Sequence, residues 1–350
     1  EKRYLRDEFI VCDMILDEGL PKRIVEAVSL SRSPVDGIIT YLDKYLTATA
    51  KAAEILGLGT KPSKSIQICT DKKQTREFVS SGMVSFAVSG LIDLKNCTEH
   101  WREILEYPLI VKPARGNLSE GVCSVENFTD LLAAVQRVEE HFLGRTILIE
   151  PYIAGPEVDA NLVLLGGEIL FCEINDDFPS AAEIPDRIRS ISFAETSTIM
   201  PSALTTSELS MLRSTLAETL NRLNFRNGVF HIEARVQNSR MHYTTVRQGV
   251  ELVRRDALHE DVAEPPSCFL IEINVRTPGH QETFAVEYTY GIDYYAMYTL
   301  LAITAPSREL PGHDLPFQYS ELERLKAVSQ PFLVEIHYPI NIVFIAVVTG

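Results

Sequence analysis

Three short strands around a single helix constrain the fold more than any other feature of the sequence. Apolar runs at 108–113, 122–125 and 146–150 predict these strands, and a loop rich in glycine and polar residues separates the first two. Asn127 is placed to cap an amphipathic helix that ends near His141. This pattern predicts an α+β architecture of small subdomains and argues against one doubly wound sheet.

Cap and turn signals predict further elements on the N-terminal side. Apolar runs at 9–12 and 35–40 predict strands of an α/β domain. A helix that follows Asp43 should stop at Gly57, because glycine readily takes the left-handed conformation that ends helices. Asp71 can cap the next helix.

The C-terminal half contains a predicted β-hairpin at 162–171, which turns on a Gly-Gly pair. Ser207 is predicted to cap a long helix, and two apolar strands cover 230–233 and 269–274. A chain of 350 residues exceeds what one core usually absorbs, so two or three subdomains are expected.

The charge of the chain limits the kinds of partner. The sequence has 48 acidic and 33 basic residues, a formal net charge of -15, which disfavours binding to nucleic acid or to anionic membranes. A polyanionic ligand would therefore need locally placed cations or metal ions.

The six cysteines form no CxxC pair, which is typical of a reduced intracellular protein. The apolar run at 342–348 is too short to span a bilayer and predicts a buried strand. No signal peptide is recognised, and we expect a cytoplasmic location.

Two polar residues alternate on an otherwise apolar strand. Glu272 and Asn274 should point to one face, while Ile271 and Ile273 face the core. A carboxylate and an amide oxygen in this arrangement suit a hard cation such as Mg²⁺. Glu233, in a strand with the same alternation, would complete the site if the strands pair. From the pattern alone, a metal site and a solvated polar face are about equally favoured.

Two further segments have the composition of a phosphate and nucleotide site. Lys112 ends an apolar strand before a Gly/Ser loop at 113–121, and a strand-end lysine beside free backbone N–H groups suits phosphate. No GK[ST] follows, so this is not a Walker loop, and a turn without a ligand is the alternative. Between Glu150 and Glu157, Pro151 leaves backbone groups free to meet a base edge, although the segment alone is equally typical of a hinge.

Taken together, five motifs occur in order along the chain: DKxxxR, VKPxxGxxSxG, EPYIxGPE, HIE and EINxR. This series resembles the ATP-grasp superfamily from Asp36 onward. EPYIAGPE resembles the adenine hinge of D-alanine–D-alanine ligases, and GVFHIEAR with LIEINVR is more similar to the carnosine-synthase and L-amino-acid ligase branch. The resemblance implies an ATP-grasp fold with an N-terminal α/β domain at 1–70, a linker helix and lid subdomain at 71–150, and a C-terminal subdomain with a metal site at 151–350.

The resemblance also implies how ATP would be bound. Arg76 and Lys112 would bind the phosphates, and Ser119 and Gly121 would belong to a lid loop that closes over them. The residues implied in adenosine binding are Glu150 at the adenine amino group, Ile153 through its backbone N–H, and Glu157 at the ribose.

For the chemistry, the resemblance implies that Glu233, Glu272 and Asn274 bind two Mg²⁺ ions, for which Mn²⁺ can substitute. Arg276, with Lys112, would be catalytic and face the transferred phosphate and the substrate carboxylate. The implied reaction forms an acyl-phosphate and ADP, and an amine then displaces phosphate to form an amide. The implied partners are a small carboxylate and a small amine, with amino acids as the expected class. Dimers are common among such enzymes, so a homodimer is one expectation.

The sequence departs from the family pattern at two places. Val275 replaces the usual proline, which would change how Arg276 is aimed. The segment 236–268 is longer and more charged than the usual short hairpin, and a mobile surface excursion is favoured over a specificity insertion.

Two alternative functions remain open. A carboxylase-type enzyme or small-molecule kinase is one, although the segment 277–280 (TPGH) lacks the Val-Glu-His base motif of biotin carboxylases. A non-catalytic nucleotide-binding module ranks last, because no implied metal ligand is lost. The polar residues His231, Arg235, His280 and Glu282 are equally interpreted as substrate-pocket residues or as structural polar groups.

Overall fold

The computed structural model describes residues 8–79, 85–101, 104–116, 119–180, 182–183, 193, 196–247, 249–255, 264–303 and 342–344. Helices and mostly antiparallel strands alternate along these ranges. The helices are α1 (Leu20–Ser29), α2 (Asp43–Leu56), α3 (Ser63–Cys69), α4 (Lys72–Val79), α5 (Leu91–Trp101), α6 (Phe128–His141), α7 (Thr206–Arg222), α8 (His280–Tyr290) and α9 (Tyr294–Ile303). The strands are β1 (Gly37–Ile39), β2 (Phe86–Val88), β3 (Leu109–Pro113), β4 (Cys123–Val125), β5 (Ile147–Pro151), β6 (Glu157–Leu165), β7 (Glu168–Asp177), β8 (Thr198–Ile199), β9 (Gly228–Gln237), β10 (Met241–Val246), β11 (Gly249–Arg254), β12 (Ser267–Asn274) and β13 (Ile342–Phe344).

A four-stranded antiparallel sheet with the order β2-β5-β3-β4 contains the unit that the sequence predicts around α6. Asn127 caps α6 by accepting a hydrogen bond from the backbone N–H of Asp130. Leu131 of α6 and the strand residues Val111 and Ile149 are buried in one apolar core. The three predicted strands and the capped helix are confirmed, because one apolar stripe of the helix covers one face of the sheet.

The larger sheet has five antiparallel strands in the order β12-β9-β6-β7-β8. On one face, Leu162 and Phe230 pack against Leu216 of α7. On the other face, Val163 and Val229 pack in the core that contains α9. Side chains alternate along a strand, so the remaining odd-numbered positions of β6 and β9 share the face of Val163 and Val229. Most of these positions carry polar side chains, and several of them line a cleft beyond the α9 core.

Strand β12 contains a β-bulge, and this corrects one prediction. Leu270 pairs with Ala234 and Glu272 pairs with Glu233, which leaves Ile271 as the extra residue. Ile271 was predicted to face the core but instead lines the cleft, as does Glu272. The prediction was wrong because a bulge turns two successive side chains towards the same face, whereas regular pleating would alternate them.

The start of α7 also differs from the prediction. Thr205, not Ser207, is the capping residue, and it forms a capping box with Glu208. The Thr205 side chain accepts from the backbone N–H of Glu208, whose carboxylate accepts in return from the backbone N–H of Thr205. Both residues are chemically able to cap, and the glutamate three positions after Thr205 decides between them.

The other helix signals are confirmed. Gly57 takes the left-handed conformation at the end of α2. The Asp71 carboxylate accepts from the backbone N–H groups of Lys73 and Gln74 at the start of α4. The predicted hairpin is formed by β6 and β7.

In the N-terminal region, β1 pairs in parallel with β13, which lies near the other end of the chain. The predicted strand at 9–12 does not form, and Phe9 and Val11 are 61% and 81% exposed. Only one side of this run packs, because Cys12 lies against the apolar core of α1 and α2 while Val11 is exposed. The division at 70 and 150 stays a prediction.

The long segment after Glu233 is partly an ordered hairpin. Strands β10 and β11 pair along their full lengths, and the Tyr243 hydroxyl donates to the backbone oxygen of Asp177 at 2.8 Å. The described part of 236–268 is therefore a paired hairpin that contacts β7, and the mobility of the segment stays a prediction. None of the helices in the described ranges combines the length and apolar character required to cross a membrane.

Candidate active site

A cleft of about 890 Å³ lies between the two sheets. Its walls come from β3 and β5 of the small sheet, from β9 and β12 of the large sheet, and from the start of α8. Residues far apart in sequence meet here, because the polar ends of strands in both sheets face the same space. The sequence-predicted residues that line the cleft are Lys112, Ser119, Glu150, Ile153, Glu157, Glu233, Glu272, Asn274 and Arg276.

The three predicted metal ligands lie together on β9 and β12. Glu272 is directly opposite Glu233 in the strand register. Asn274 Nδ2 donates to Glu233 Oε1 at 3.3 Å. The two carboxylates are partly exposed and Asn274 is nearly buried. Two carboxylates and one amide oxygen on a half-buried wall are the donor set that suits Mg²⁺, so these residues fit the implied ion.

Lys72, at the start of α4, supplies the positive charge beside this group. Its Nζ lies 2.6 Å from Glu272 Oε2 and donates to the backbone oxygen of Gly116 at 3.4 Å. Lys72 therefore links the predicted lid loop to the predicted metal ligands. In the sequence, Lys72 is the lysine of the DKxxxR motif, and no site role was predicted for it.

Glu150 is the centre of a buried group of charges. Its Oε1 accepts from Arg76 Nε at 2.5 Å, and its Oε2 lies 2.7 Å from Lys112 Nζ. Burial favours the neutral acid, but Lys112 and Arg76 outweigh it and hold the pKa of Glu150 below its ordinary value. Arg76 also donates to the backbone oxygen of Leu270 at 2.7 Å and stacks on Phe269, which lines the cleft. Arg76 thus lies behind the cleft wall, whereas Lys112 reaches it.

Glu157 forms an ion pair that the sequence did not predict. Arg235 Nε donates to Glu157 Oε2 at 2.8 Å, and Arg235 also contacts Glu183. A further hydrogen bond from Arg235 reaches the backbone oxygen of Ile153 at 3.0 Å. Arg235 therefore fixes the segment between Glu150 and Glu157 against β9. It does so through the backbone oxygen of Ile153 and not through its N–H group.

The predicted lid loop is described at 114–116 and from 119 onward. Ser119 and Gly121 both have positive φ, 53° and 76°. A Cβ at position 121 would stand 2.5 Å from Cε2 of Phe142. Glycine is therefore needed there for two reasons, the positive φ and the lack of space for a side chain. Ser119 lines the cleft, and Gly121 holds the loop against α6.

Arg276 reaches the cleft and also contacts the N-terminal region. Its Nε donates to Asp43 Oδ1 at 2.7 Å, and its Nη1 donates to the backbone oxygen of Thr277 at 2.8 Å. Val275, which replaces the usual proline, is buried in the core of the large sheet. No local pattern in the sequence marks Asp43 as a site residue, although Asp43 also lines the cleft.

A polar network lies beneath the far end of the cleft. Asn161 Nδ2 donates to Glu173 Oε1 at 2.5 Å and to Glu282 Oε1 at 2.6 Å. Asn175 Nδ2 donates to the same oxygen of Glu282 at 2.7 Å. Because Nδ2 of Asn161 donates to the carboxylates of Glu173 and Glu282, its Oδ1 faces His231 Nδ1 at 2.9 Å and accepts from it. The proton of His231 is therefore on Nδ1, and Nε2 is an acceptor that lies 3.9 Å from Glu233 Oε1.

Burial has opposite effects on the titrating groups of this network. Burial, with a contribution from Arg276, lowers the pKa of His231 to about 3, so the imidazole is neutral. Burial, with repulsion from Glu282, raises the pKa of Glu173 to about 8. Both shifts follow from the cost of keeping a charge away from water.

The sequence contains a signal for this network from which no prediction was made. Polar residues alternate through apolar strands at Asp159 and Asn161 on β6, and at Glu173 and Asn175 on β7. This is the same period of two that identified Glu272 and Asn274. Of the four residues left open, His231, Arg235, His280 and Glu282 all line the cleft.

Comparisons with known proteins agree with this architecture. Residues 105–247 match the family model of the ATP-grasp domain, and residues 1–60 match the ATP-grasp N-terminal domain. The chain is 36% identical over 331 residues to the ATP-grasp enzyme fsqD of Aspergillus fumigatus, which covers 94% of this chain and 54% of that protein. It is 23% identical over 248 residues to carnosine synthase 1 of Mus musculus, covering 65% of this chain and 29% of that protein.

Among solved structures, an L-amino acid ligase from Bacillus licheniformis superposes with a TM-score of 0.60 at 23% identity, covering 81% of this chain and 60% of that chain. This likeness confirms the predicted α+β ATP-grasp fold. The chain spans about half the length of the Aspergillus protein and less of the mouse protein. The matched domain models, the similarity along nearly the whole chain and the shared fold together show that the chain belongs to the ATP-grasp superfamily.

Proposed function

We propose that this protein is an ATP-dependent ligase that joins a carboxylate to an amine and releases ADP and phosphate. The observation that carries the proposal is the convergence of Lys112, Arg276 and the oxygen ligands of β9 and β12 on one cleft. Phosphoryl transfer to a carboxylate needs such a combination, because cations must neutralise the phosphates while the two reactants are held in line.

The proposed reaction has two steps. A carboxylate oxygen of the first substrate attacks the γ-phosphorus of ATP, the bond to the β,γ-bridging oxygen breaks, and ADP leaves. The product is an acyl-phosphate. An amine nitrogen then attacks the acyl carbon, phosphate leaves, and the nitrogen loses a proton to give the amide. The protein contributes mainly positioning and charge neutralisation.

We assign Glu233, Glu272 and Asn274 as the ligands of two Mg²⁺ ions, which supply charge neutralisation on the phosphates when they are bound. Lys112 would add a further positive charge at the phosphates. Arg276 would bridge the substrate carboxylate and the transferred phosphoryl group, because its planar fork can bind both at once.

The nucleotide would lie along the hinge segment. In this proposal Ile153 offers its backbone N–H to the adenine ring, Glu150 meets the adenine amino group and Glu157 binds the ribose. Ser119 and Gly121 belong to the loop that would close over the phosphates and exclude water from the acyl-phosphate. Arg76 does not line the cleft in the described structure, so it would reach the phosphates only by turning its side chain; as placed, it positions Glu150.

Amino acids are the proposed substrates. The name of the Bacillus licheniformis structure, an L-amino acid ligase, supports this class, as does the similarity of GVFHIEAR and LIEINVR to the carnosine-synthase and L-amino-acid ligase branch. The geometry of the cleft supports small substrates, because about 890 Å³ must also contain the nucleotide.

The decisive experiment is a screen of amino-acid pairs for phosphate release with ATP and Mg²⁺, followed by chromatography of the nucleotide products. We expect ADP and phosphate to depend on both substrates. Bicarbonate and simple alcohols form separate arms for the carboxylase and kinase alternatives. Formation of AMP, or ADP formation only in the bicarbonate or alcohol arm, would contradict the ligase proposal.

We also propose a cytoplasmic location, since all six cysteines are free in the structure. The homodimer stays a prediction, which sedimentation of the purified protein would test.

A further inference from the structure

We infer that Arg235 is a positioning residue for the nucleotide, which holds Glu157 so that one of its carboxylate oxygens faces the ribose. Glu183 is the second carboxylate on the same guanidinium and anchors it. The inference rests on the proposed function for the ribose as the ligand of Glu157. It adds which residues orient this glutamate and what that orientation selects.

The two oxygens of Glu157 differ in their partners. Arg235 donates to Oε2 through Nε at 2.8 Å and through Nη2 at 2.5 Å. Within the described residues Oε1 accepts no hydrogen bond, and the Glu157 side chain is 24% exposed and lines the cleft. Two charge-assisted bonds to one oxygen hold the carboxylate in one orientation, which leaves Oε1 as the acceptor for a ligand hydroxyl.

Arg235 is itself held from several directions. The residue is 6% exposed, and its Nη1 donates to the backbone oxygen of Ile153 at 3.0 Å. Its Nη2 also donates to Glu183, and its Cζ lies 5.1 Å from the ring centre of Tyr152. A guanidinium buried among these partners cannot turn without breaking several contacts, so Glu157 is oriented before a nucleotide arrives. Such preorganisation lowers the entropic cost of binding.

Glu183 acts as an anchor and not as a group that meets the ligand. Its Oε1 accepts from the hydroxyl of Tyr152 at 2.9 Å as well as from Arg235. Its Oε2 accepts from the backbone N–H and the hydroxyl of Ser180, at 2.9 and 2.8 Å. Both oxygens of Glu183 are therefore occupied. Because two carboxylates share one guanidinium, Glu157 still offers an oxygen to a hydroxyl donor.

The same two carboxylates secure the charge of Arg235. Burial alone would lower the pKa of Arg235, but Glu157 and Glu183 outweigh burial and raise it above its ordinary value. Burial would raise the pKa of Glu183, but Arg235 outweighs that effect and holds it below its ordinary value. The group is therefore ionised at neutral pH.

The strand register places this group beside the proposed metal ligands. Glu157 of β6 is directly opposite Arg235 of β9, and Glu233 lies two positions before Arg235 on the same face. Successive residues on one face of a strand are about 7 Å apart. A nucleotide whose phosphates lie near Glu233 can therefore place its ribose at Glu157. Changes at Arg235 leave every proposed metal ligand intact.

The test is calorimetry of the full protein with Mg²⁺ and a non-hydrolysable ATP analogue, compared with the 2′-deoxy and 3′-deoxy forms of that analogue. We expect at least one deoxy form to bind about ten- to a hundredfold more weakly than the ribose form, the range for a hydrogen bond to a charged acceptor. Equal affinities of the three analogues would overturn the inference.

Arg235→Met should remove most of this preference for the ribose form, because the Glu157 carboxylate is then free to turn. Arg254→Met is the matched control, since Arg254 is an exposed arginine on β11, and it should keep the preference. A preference that is unchanged in Arg235→Met, even if all three analogues bind more weakly, would show that Arg235 only supports the fold and would contradict the inference.

Arg235→Lys keeps the positive charge and is the second variant if Arg235→Met does not fold, which circular dichroism will show. It should also lose most of the preference, because a point charge lacks the planar fork that fixes the Glu157 carboxylate. Full retention of the preference in Arg235→Lys would refute the role of the fork.

Failure of this inference is distinguishable from failure of the proposed function. A ribose preference that depends on Arg235, without any ADP formation, would keep the positioning role and reject the ligase reaction. Amide formation that is equally fast with limiting ATP and with its two deoxy forms would keep the reaction and reject the positioning role.

Discussion

Arg276 Nε donates to Asp43 Oδ1 at 2.7 Å, and the two residues are 233 positions apart in the chain. The bond joins the end of β12 to the first residue of α2. It holds the guanidinium at the edge of the cleft, where the N–H groups that Asp43 and Thr277 do not use can meet a ligand. The N-terminal region thus helps to aim the arginine that we propose to face the substrate carboxylate.

We predict that Arg276→Lys retains binding of an ATP analogue but lowers carboxylate-dependent ADP release about a hundredfold, since a lysine cannot bridge two groups as a fork does. Calorimetry and steady-state kinetics measure the two effects. Asp43→Asn should cause a smaller loss, mainly in KM for the carboxylate. Equal losses in nucleotide affinity and turnover would show that Arg276 does not face the carboxylate.

Glu272→Gln and Asn274→Ala should each remain folded and reduce turnover by at least about a hundredfold, the usual loss for a group that stabilises the transferring phosphoryl. Both variants should also bind Mn²⁺ more weakly in a titration without substrates. Glu251→Gln is the control, because Glu251 is exposed on β11. Normal turnover of both variants at saturating Mg²⁺ would refute the metal assignment.

Lys72→Met should increase the affinity for Mn²⁺ several-fold in the absence of nucleotide. The reason is that the Lys72 ammonium, 2.6 Å from Glu272 Oε2, competes with a metal ion for that carboxylate. Lys73→Met is the control on the neighbouring position, where the lysine is half-buried and pairs with Glu77 instead of Glu272. Unchanged or weaker Mn²⁺ binding in Lys72→Met would mean that the lysine assists the metal site.

Gly121→Ala should destabilise the small sheet and its helix by about 2 to 4 kcal/mol. About 1 kcal/mol comes from the positive φ, and the rest from the contact of the new methyl group with Phe142. Gly144→Ala is the control, because Gly144 has φ of 72° but a Cβ there meets nothing within 4 Å. Thermal unfolding followed by hydrogen exchange of α6 measures the difference. Equal effects of the two changes would show that Phe142 does not restrict the loop.

Glu173 should make the stability of the protein fall as the pH rises. Its pKa is raised from 4.5 to about 8, so the folded protein keeps between these values a proton that the unfolded chain has released. Unfolding therefore becomes easier with rising pH, by the linkage of proton binding to folding. Glu173→Gln mimics the protonated acid and does not titrate.

The thermal midpoint of Glu173→Gln should thus rise relative to the wild-type protein between pH 5 and pH 8. The corresponding free-energy difference should be roughly 3 kcal/mol, because the folded and unfolded states differ by nearly one bound proton over most of this range. Glu168→Gln, at an exposed position of the same strand, should show no such trend. A difference that stays constant with pH would show that Glu173 is ionised in the folded protein.

Much of the local structure follows from the sequence, because the signals are local. Asn127 and Asp71 cap helices through backbone groups within three residues, and Gly57 ends a helix through its own conformation. The period of two on β9 and β12 likewise placed Glu233, Glu272 and Asn274 on a common wall. The errors at Ser207 and at 9–12 arose where two capping residues compete or where an apolar run packs through only one of its sides.

The tertiary structure alone decided how these pieces combine. The bulge that turns Ile271 towards the cleft depends on the pairing of β12 with β9. The bonds of Arg276 to Asp43 and of Lys72 to Glu272 join elements that are distant in the chain. The sequence determined which side chains each strand and helix offers, since that depends on neighbours within a few positions. The packing of whole sheets and helices decides which of these side chains meet and which charges lie beside them. No short segment carries a local signal for that packing.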